Sequence, residues 1–243
     1  FVPGVVAGDA IMDGELEVRG PIDDVRMDGQ VELRDGQVRI EGLGQHLREI
    51  AGRVLFRGDR AVFPDEAPLR AHDSGGLVRL AGSVDFDGFV PREVRLDAQA
   101  DSFPVRREGM VLAWLSGGAA IRGSIGEERT TSTVRTRDFS VRLPDQTPGE
   151  LQSLEPHPEV LVVGSRRPAA GGPAPESYPV VVDIRAEDAF WVRRSDFSAQ
   201  VTAALDAVYQ DPELRVDGSA EIRRGVFEIF GKRFELTEGR LAF

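Results

Sequence analysis

The feature that most constrains this chain is a two-residue alternation of apolar and polar side chains, interrupted by glycines. Runs of this kind occur at residues 31–40, 78–86, 94–100, 134–143, 180–186, 201–207 and 220–243. Within the first run, Asp35-Gly36 predicts a hairpin turn. Alternation gives each strand one apolar side and one polar side, and it is typical of antiparallel sheets that have one solvated face.

The spacing of these runs predicts the fold class. Strands follow one another every ten to fifteen residues or so, with Gly or Asp-Gly between them, which is the pattern of all-β proteins. Helical spacing is not sustained over three turns anywhere, and residues 45–50 could form at most one helical turn. We therefore predict an all-β fold, an extended and curved antiparallel sheet with negligible helix.

One segment departs from the alternation and suggests a division of the chain. Residues 144–179 contain eight of the 15 prolines. Because proline lacks the backbone N–H and fixes φ, continuous sheet is excluded there. We predict a loop or linker at 144–179, with room for one short strand at 160–163, between an N-terminal β portion (1–143) and a C-terminal β portion (180–243). The two β portions could still share one sheet.

Composition narrows the possible functions. The net charge is −11 and the pI is about 4.9, which argues against a nucleic-acid partner, since such a domain would carry a basic patch. There are no cysteines, and the three histidines are far apart in sequence, so no metal site is predicted. No apolar run approaches the roughly 18 residues of a membrane-spanning helix. The chain begins at Phe1, and we interpret it as a piece of a longer protein.

Short motifs that resemble catalytic or binding signatures are better explained as turns. Gly42-Leu43-Gly44 starts like a dinucleotide fingerprint, but Leu47 occupies the third glycine position. Asp87-Gly88 fits a hairpin turn rather than a calcium loop, and Arg57-Gly58-Asp59 fits a turn between two strands. The sequence therefore predicts no catalytic residue, no cofactor and no enzymatic activity.

The last sixty residues or so carry a denser pattern. It comprises Phe190-Trp191-Val192, then 212–218, then Ala220 to Phe227 with an expected turn at Arg224-Gly225, then Gly231-Lys232-Arg233-Phe234, and finally 238–243. Three earlier pieces, 33–44, 50–59 and 75–82, are similar in kind. In this order, the pieces resemble the conserved C-terminal region of the TamB family, the translocation and assembly module.

This resemblance implies a structure and a cellular setting. It implies a long curved β groove, called a β-taco, with an apolar interior. It also implies a protein that spans the periplasm of Gram-negative bacteria, with an inner-membrane anchor and a TamA-type outer-membrane barrel as partner, both acting through parts outside this chain. The implied roles are lipid transfer between the membranes and assistance to outer-membrane protein assembly, with phospholipid or other apolar chains as cargo.

A curved sheet with one apolar side must either close on a packed core or hold something apolar. We predict that twelve residues line the groove and contact lipid: Val38, Ile40, Val78, Leu80, Val94, Leu96, Val182, Ile184, Phe227, Ile229, Phe234 and Leu236. Two alternatives stay open at this point. One is a structural or adhesive β-solenoid without lipid cargo, which would need more regular repeats. The other is an enzyme built on a β-helix, which would show carboxylate clusters on an outward face.

Overall fold

The computed structural model describes residues 5–21, 24–40, 44–107, 109–126, 129–145, 179–210 and 213–242. Within these ranges the chain consists of strands, turns and bends, without helix. The strands are β1 (Val5–Arg19), β2 (Arg26–Ile40), β3 (Gln45–Gly58), β4 (Arg60–Phe63), β5 (Leu69–Asp73), β6 (Gly76–Asp87), β7 (Val90–Arg107), β8 (Met110–Ile125), β9 (Thr130–Arg142), β10 (Val180–Arg194), β11 (Phe197–Gln210), β12 (Glu213–Ile229), β13 (Lys232–Leu236) and β14 (Gly239–Ala242). The all-β prediction is confirmed.

All fourteen strands belong to one sheet, and sequence neighbours are mostly spatial neighbours. The order is β1-β2-β3-β4-β6-β7-β8-β9-β10-β11-β12-β13, while β5 lies between β3 and β6, and β14 pairs with β12 beside β13. Pairing is antiparallel except between β9 and β10, which are parallel. The prediction of a mainly antiparallel sheet is therefore confirmed.

The parallel pair joins the two predicted β portions. Val180 lies opposite Thr130, and Arg193 lies opposite Arg142, so β9 and β10 start at the same end of the sheet. Both portions thus contribute strands to one sheet. Residues 146–178 connect the two strands and lie outside the described residues, as do His157 and the short strand predicted at 160–163. The division at 144–179 stays a prediction.

Two local predictions in the N-terminal portion are wrong for a common reason. Asp35-Gly36 is not a hairpin turn but lies inside β2, where Asp35 has a φ of 51° and the pairing with β3 shifts register. Residues 45–50 are not helical but begin β3, with Glu49 at a φ of 50°. Both sites are β-bulges, which insert one extra residue into a strand. Across a bulge, residues on the same side of a strand are three positions apart in sequence instead of two. Leu47 and Ile50 therefore have a spacing that is also typical of a helix.

A third prediction fails near the C-terminus. Arg224-Gly225 does not form a turn, because β12 continues through it to Ile229. The hairpin loop is instead Phe230-Gly231, between the paired residues Ile229 and Lys232. The turns predicted at Asp87-Gly88 and at residues 57–59 are confirmed, since they separate β6 from β7 and β3 from β4.

The bulges are aligned from strand to strand. Four exposed residues inside strands have a left-handed backbone and coincide with register shifts: Asp35 in β2, Glu49 in β3, Ser102 in β7 and Asp138 in β9. Two further register shifts lie in line with these four across the sheet. One is between Ala186 and Phe190 in β10, and the other is in β12, opposite Gln200 and Val201 of β11. Because each bulge bends its strand and increases the local twist, a continuous row of them bends the sheet along a line that crosses the strands.

Glycines occur at positions where the backbones of neighbouring strands lie close together. There, a glycine interrupts the alternation of apolar and polar side chains. Gly82 has a φ of +130°, and a Cβ there would lie 2.1 Å from the carbonyl oxygen of Arg95 on β7. Gly218 has a φ of +139°, with the carbonyl oxygen of Ala204 at 2.3 Å. This backbone region is accessible almost only to glycine. Glycine at these positions lets neighbouring strands approach where any other residue would separate them.

Few side chains of the described residues are buried, and most of the apolar ones are alanine or valine. The buried hydrophobic residues of the described chain are Val25, Met27, Ile50, Ala61, Ala71, Ala81, Ala186, Ala199, Val201 and Ala220. One cluster groups Ala199, Val201 and Ala220 under the half-buried rings of Phe190 and Phe197. Leu and Phe, the usual fillers of a protein interior, are at most half-buried in the described ranges. The sheet therefore does not enclose a conventional core of large apolar side chains.

Candidate functional site

The strand register aligns a row of residues across seven strands, with apolar side chains on the inner five and glycine on the two outer strands. Cross-strand partners lie on the same side of a sheet, and successive partners run from β6 to β12 through Gly82, Leu96, Ile121, Val134, Ile184, Leu205 and Gly218. We call the side of the sheet that carries this row the apolar face. The adjacent row, one residue along each strand, lies on the opposite side and reads Ser83, Arg95, Arg122, Thr133, Asp183, Asp206 and Asp217. We call that side the polar face.

All twelve residues predicted to line the groove lie on the apolar face. Six of them belong to the row above or lie two or four residues from a member of it on the same strand, and so on the same side: Val78, Leu80, Val94, Leu96, Val182 and Ile184. The apolar face continues with Phe227 and Ile229 on β12 and with Phe234 and Leu236 on β13. Val38 and Ile40 lie beyond the bulge of β2, opposite Leu47 and Gln45. The contact of these residues with lipid stays a prediction.

The apolar face is partly open to solvent. Ten of the twelve residues are half-buried, while Ile229 and Phe234 are 41% and 48% exposed. Side chains from neighbouring strands cover one another laterally. For example, the rings of Phe139 and Phe190 meet edge to face at 5.8 Å, and those of Phe197 and Phe227 at 6.5 Å. Lateral contact of this kind leaves the outer surface of the face available to an apolar guest.

The polar face is held by cross-strand ion pairs. Asp85 on β6 accepts hydrogen bonds from Arg60 on β4 and from Arg95 on β7, the latter at 2.6 Å. Burial alone would raise the pKa of Asp85, but the hydrogen bonds from the two arginines outweigh it, and the pKa is lowered. Further along, Asp97 bridges Arg122 and Arg137. Asp85 and Asp97 are thus cross-strand partners of arginine on this face.

The concavities of the described surface lie mainly on the polar face. Four of them have volumes of about 900, 510, 290 and 330 Å³, and the one of about 900 Å³ lies beside Trp191, Arg224 and Glu228. The ring of Trp191 has the guanidinium groups of Arg193 and Arg224 at 5.1 and 5.8 Å from its centroid. Among the described residues, no group of three or more His, Cys, Asp or Glu side chains is arranged to hold a metal ion. The apolar face is thus an extended surface rather than a bounded pocket.

One buried polar cluster was not foreseen from the sequence. Gln45 on β3 donates from Nε2 to Asp73 Oδ2 at 2.7 Å and to the carbonyl oxygen of Pro104 on β7 at 2.8 Å. Arg106 donates from Nε to the same carboxylate oxygen at 3.2 Å, and Asp73 is only 3% exposed. The cluster lies at the end of the β5–β6 hairpin, which separates β3 from β7. Past this end, Gln45 on β3 reaches Pro104 on β7 directly. Its members are far apart in sequence, and no local pattern connects them.

Together, the single large sheet, the apolar face and the charged opposite face define a class of protein: an extended, mostly antiparallel β structure with one apolar and one charged side. Residues 65–243 match the family model of the TamB C-terminal domain. The match covers more than half of the chain, and the chain belongs to the TamB family, whose members are cell-envelope proteins of outer-membrane assembly or lipid transport. No curated protein and no solved structure matches it. In the described ranges, no helix could cross a membrane.

Proposed function

We propose that the apolar face shields the acyl chains of lipid in transit between the inner and outer membranes. The observation that supports this most directly is the row of apolar side chains across the five strands from β7 to β11, which are half-buried and covered by no second layer in the described part of the chain. A soluble protein rarely leaves a long apolar surface uncovered unless the surface binds something. A lipid acyl chain is a guest of matching chemistry.

The energetics suit a sliding guest. Each buried CH₂ group contributes about 0.8 kcal/mol, so a few acyl carbons on each strand would retain a lipid. Equivalent apolar contacts recur from strand to strand, and the guest can exchange one set for the next at little cost. Such a surface requires no specific polar site, in keeping with the non-enzymatic character of the family.

The cellular setting follows from the family rather than from residues of this chain. We propose that the longer protein is anchored in the inner membrane, spans the periplasm and works with a TamA-type outer-membrane barrel through parts outside this chain. Support of outer-membrane protein assembly is the second role proposed for it. The apolar face and the terminal strands of the described sheet, β1 and β13, could also hold an extended polypeptide.

Photo-crosslinking tests the lipid proposal residue by residue. A photoreactive amino acid at Val78, Leu96 or Ile184 should capture phospholipid in cells, and one at Arg79, Arg95 or Asp183 on the polar face should not. The same comparison applies to the other predicted lining residues, with Arg39 as a further polar-face control. Mass spectrometry of the purified chain should find co-isolated phospholipid. Equal labelling of both faces, together with lipid-free protein, would favour a structural scaffold without cargo.

A further inference from the structure

The loop between β12 and β13 combines backbone strain with exposure of a large apolar side chain. Ile229 pairs with Lys232, so the loop consists of Phe230 and Gly231 alone, with φ angles of 51° and 69°. Two successive left-handed residues form the type I′ hairpin turn, for which Asn-Gly is the preferred sequence. A bulky aromatic residue in this conformation is a genuine outlier. Local folding preferences therefore do not explain Phe230.

Phe230 is also the most exposed large hydrophobic residue of the described chain. Its side chain is 97% exposed, and two apolar residues of the same hairpin, Ile229 and Phe234, are 41% and 48% exposed. Phe234 lies opposite Phe227, whose ring contacts Phe197. The loop thus lies at the end of the β12–β13 hairpin, whose strands carry Phe227 and Phe234 on the apolar face next to Phe197 of β11. We call residues 229–234 the hairpin tip.

The charge of the hairpin tip is opposite to that of the whole chain. The charged side chains of residues 229–234 are Lys232 and Arg233, with no carboxylate among them, while the net charge of the chain is −11. Glu228 on β12 is the cross-strand partner of Arg233. Lys232, the only lysine, directly follows the loop, and Arg233 comes next. An apolar side chain flanked by cations fits the interface of an anionic bilayer, where the ring enters the acyl region and the cations meet phosphate groups.

We propose that the hairpin tip docks onto the surface of a membrane containing anionic phospholipid, with Phe230 as the inserted residue. The strain at Phe230 is then the cost of a functional side chain in a turn that asparagine would fill better. This docking does not depend on lipid being held along the apolar face, so the two proposals can fail separately. It identifies the β13 edge of the sheet as the part that approaches a bilayer.

Co-flotation of the full chain with vesicles tests the proposal. We expect binding to vesicles of phosphatidylglycerol and phosphatidylcholine, and much weaker binding to phosphatidylcholine alone. Phe230→Asn should weaken binding to the anionic vesicles by at least about tenfold, because insertion of the ring is lost. The same substitution should leave Tm unchanged or raise it, because Asn-Gly relieves the strained turn. A loss of binding without loss of stability is not expected of a structural residue.

Phe89→Asn is the matched control, since Phe89 is also an exposed phenylalanine in a two-residue loop but lies at the opposite ends of the strands. It should bind vesicles as the unmodified chain does. Lys232→Glu with Arg233→Glu should reduce binding to the anionic vesicles alone. Full binding by Phe230→Asn, equal losses in both asparagine variants, or no binding to any vesicle would overturn the proposal. The last outcome would indicate a protein rather than a membrane as the partner of the tip. The phospholipid content of purified Phe230→Asn protein reports separately on the apolar face.

Discussion

At the scale of single residues, Asp85 shows how the polar face contributes to stability. On β6, it accepts hydrogen bonds from Arg60 on β4 and Arg95 on β7 and so connects three neighbouring strands. Its side chain is 20% exposed. Its pKa is lowered in the folded state because the hydrogen bonds of the arginines outweigh the effect of burial. A lowered folded-state pKa stabilises the fold above the unfolded-state value of about 3.9, and this contribution is lost as the pH falls through the folded-state pKa.

We therefore expect Asp85→Asn to destabilise the chain at pH 7 by about 1 to 2 kcal/mol. The difference should shrink as the pH falls below about 3.9, because Asp85 then takes up a proton in the unfolded chain while the arginines still hold it ionised in the folded one, until the folded form is protonated too. Urea unfolding at several pH values measures it. Asp87→Asn is the control, because this carboxylate is well exposed and contacts Arg92 at 3.3 Å. A penalty that is the same at pH 2.5 and pH 7 would contradict the assignment of the effect to charge.

Glycine provides the second test at this scale. Gly82→Ala would place a methyl group 2.1 Å from the carbonyl oxygen of Arg95, in addition to an unfavourable φ of +130°. We expect a loss of more than about 2 kcal/mol of unfolding free energy, since β6 and β7 must separate. Gly75→Ala is the matched control, because its φ is +85° but a Cβ there meets nothing within 4 Å. Its cost should be close to 1 kcal/mol from strain alone. Equal costs in the two variants would show that strand proximity at Gly82 is unimportant.

At the scale of strands, the two-residue period predicted which residues share a face but not where strands end. Alternation placed Val94 and Leu96 on one side and Arg95 on the other, as the register has them. It failed at Asp35 and Glu49, because a bulge and a turn draw on the same residue types. An Asp-Gly pair alone does not reveal whether the chain reverses or continues, since that depends on the neighbouring strand. The row of bulges is thus a property of pairing that one sequence segment cannot show.

The same limit applies to the candidate site. The apolar face could be predicted because its pattern is repeated within each strand. The cluster of Gln45, Asp73 and Arg106 could not, because it depends on the β5–β6 hairpin ending between β3 and β7. Phe230 was likewise absent from the predicted lining residues, since the expected turn at Arg224-Gly225 placed the loop six residues too early.

At the scale of the whole molecule, a groove that conducts lipid should depend on the continuity of the apolar face more than on any one side chain. Val182 and Val181 are consecutive half-buried residues of β10 and lie on the apolar and polar faces respectively. Val182→Asp places a charge in the path of a guest chain, and either the charge or the guest must then lose favourable solvation. Val181→Asp introduces the same charge on the same strand, on the face that already carries Asp183.

We expect Val182→Asp in the full-length protein to impair outer-membrane integrity, measured as increased sensitivity of cells to detergents or large antibiotics, and Val181→Asp to have little effect. Protease resistance of the purified chain should be similar in the two variants, which separates loss of transport from loss of folding. A scaffold without cargo would tolerate both changes equally once folded. Full complementation by well-folded Val182→Asp would therefore remove the main support for lipid passage along this face, and the sheet would be better explained as a structural bridge.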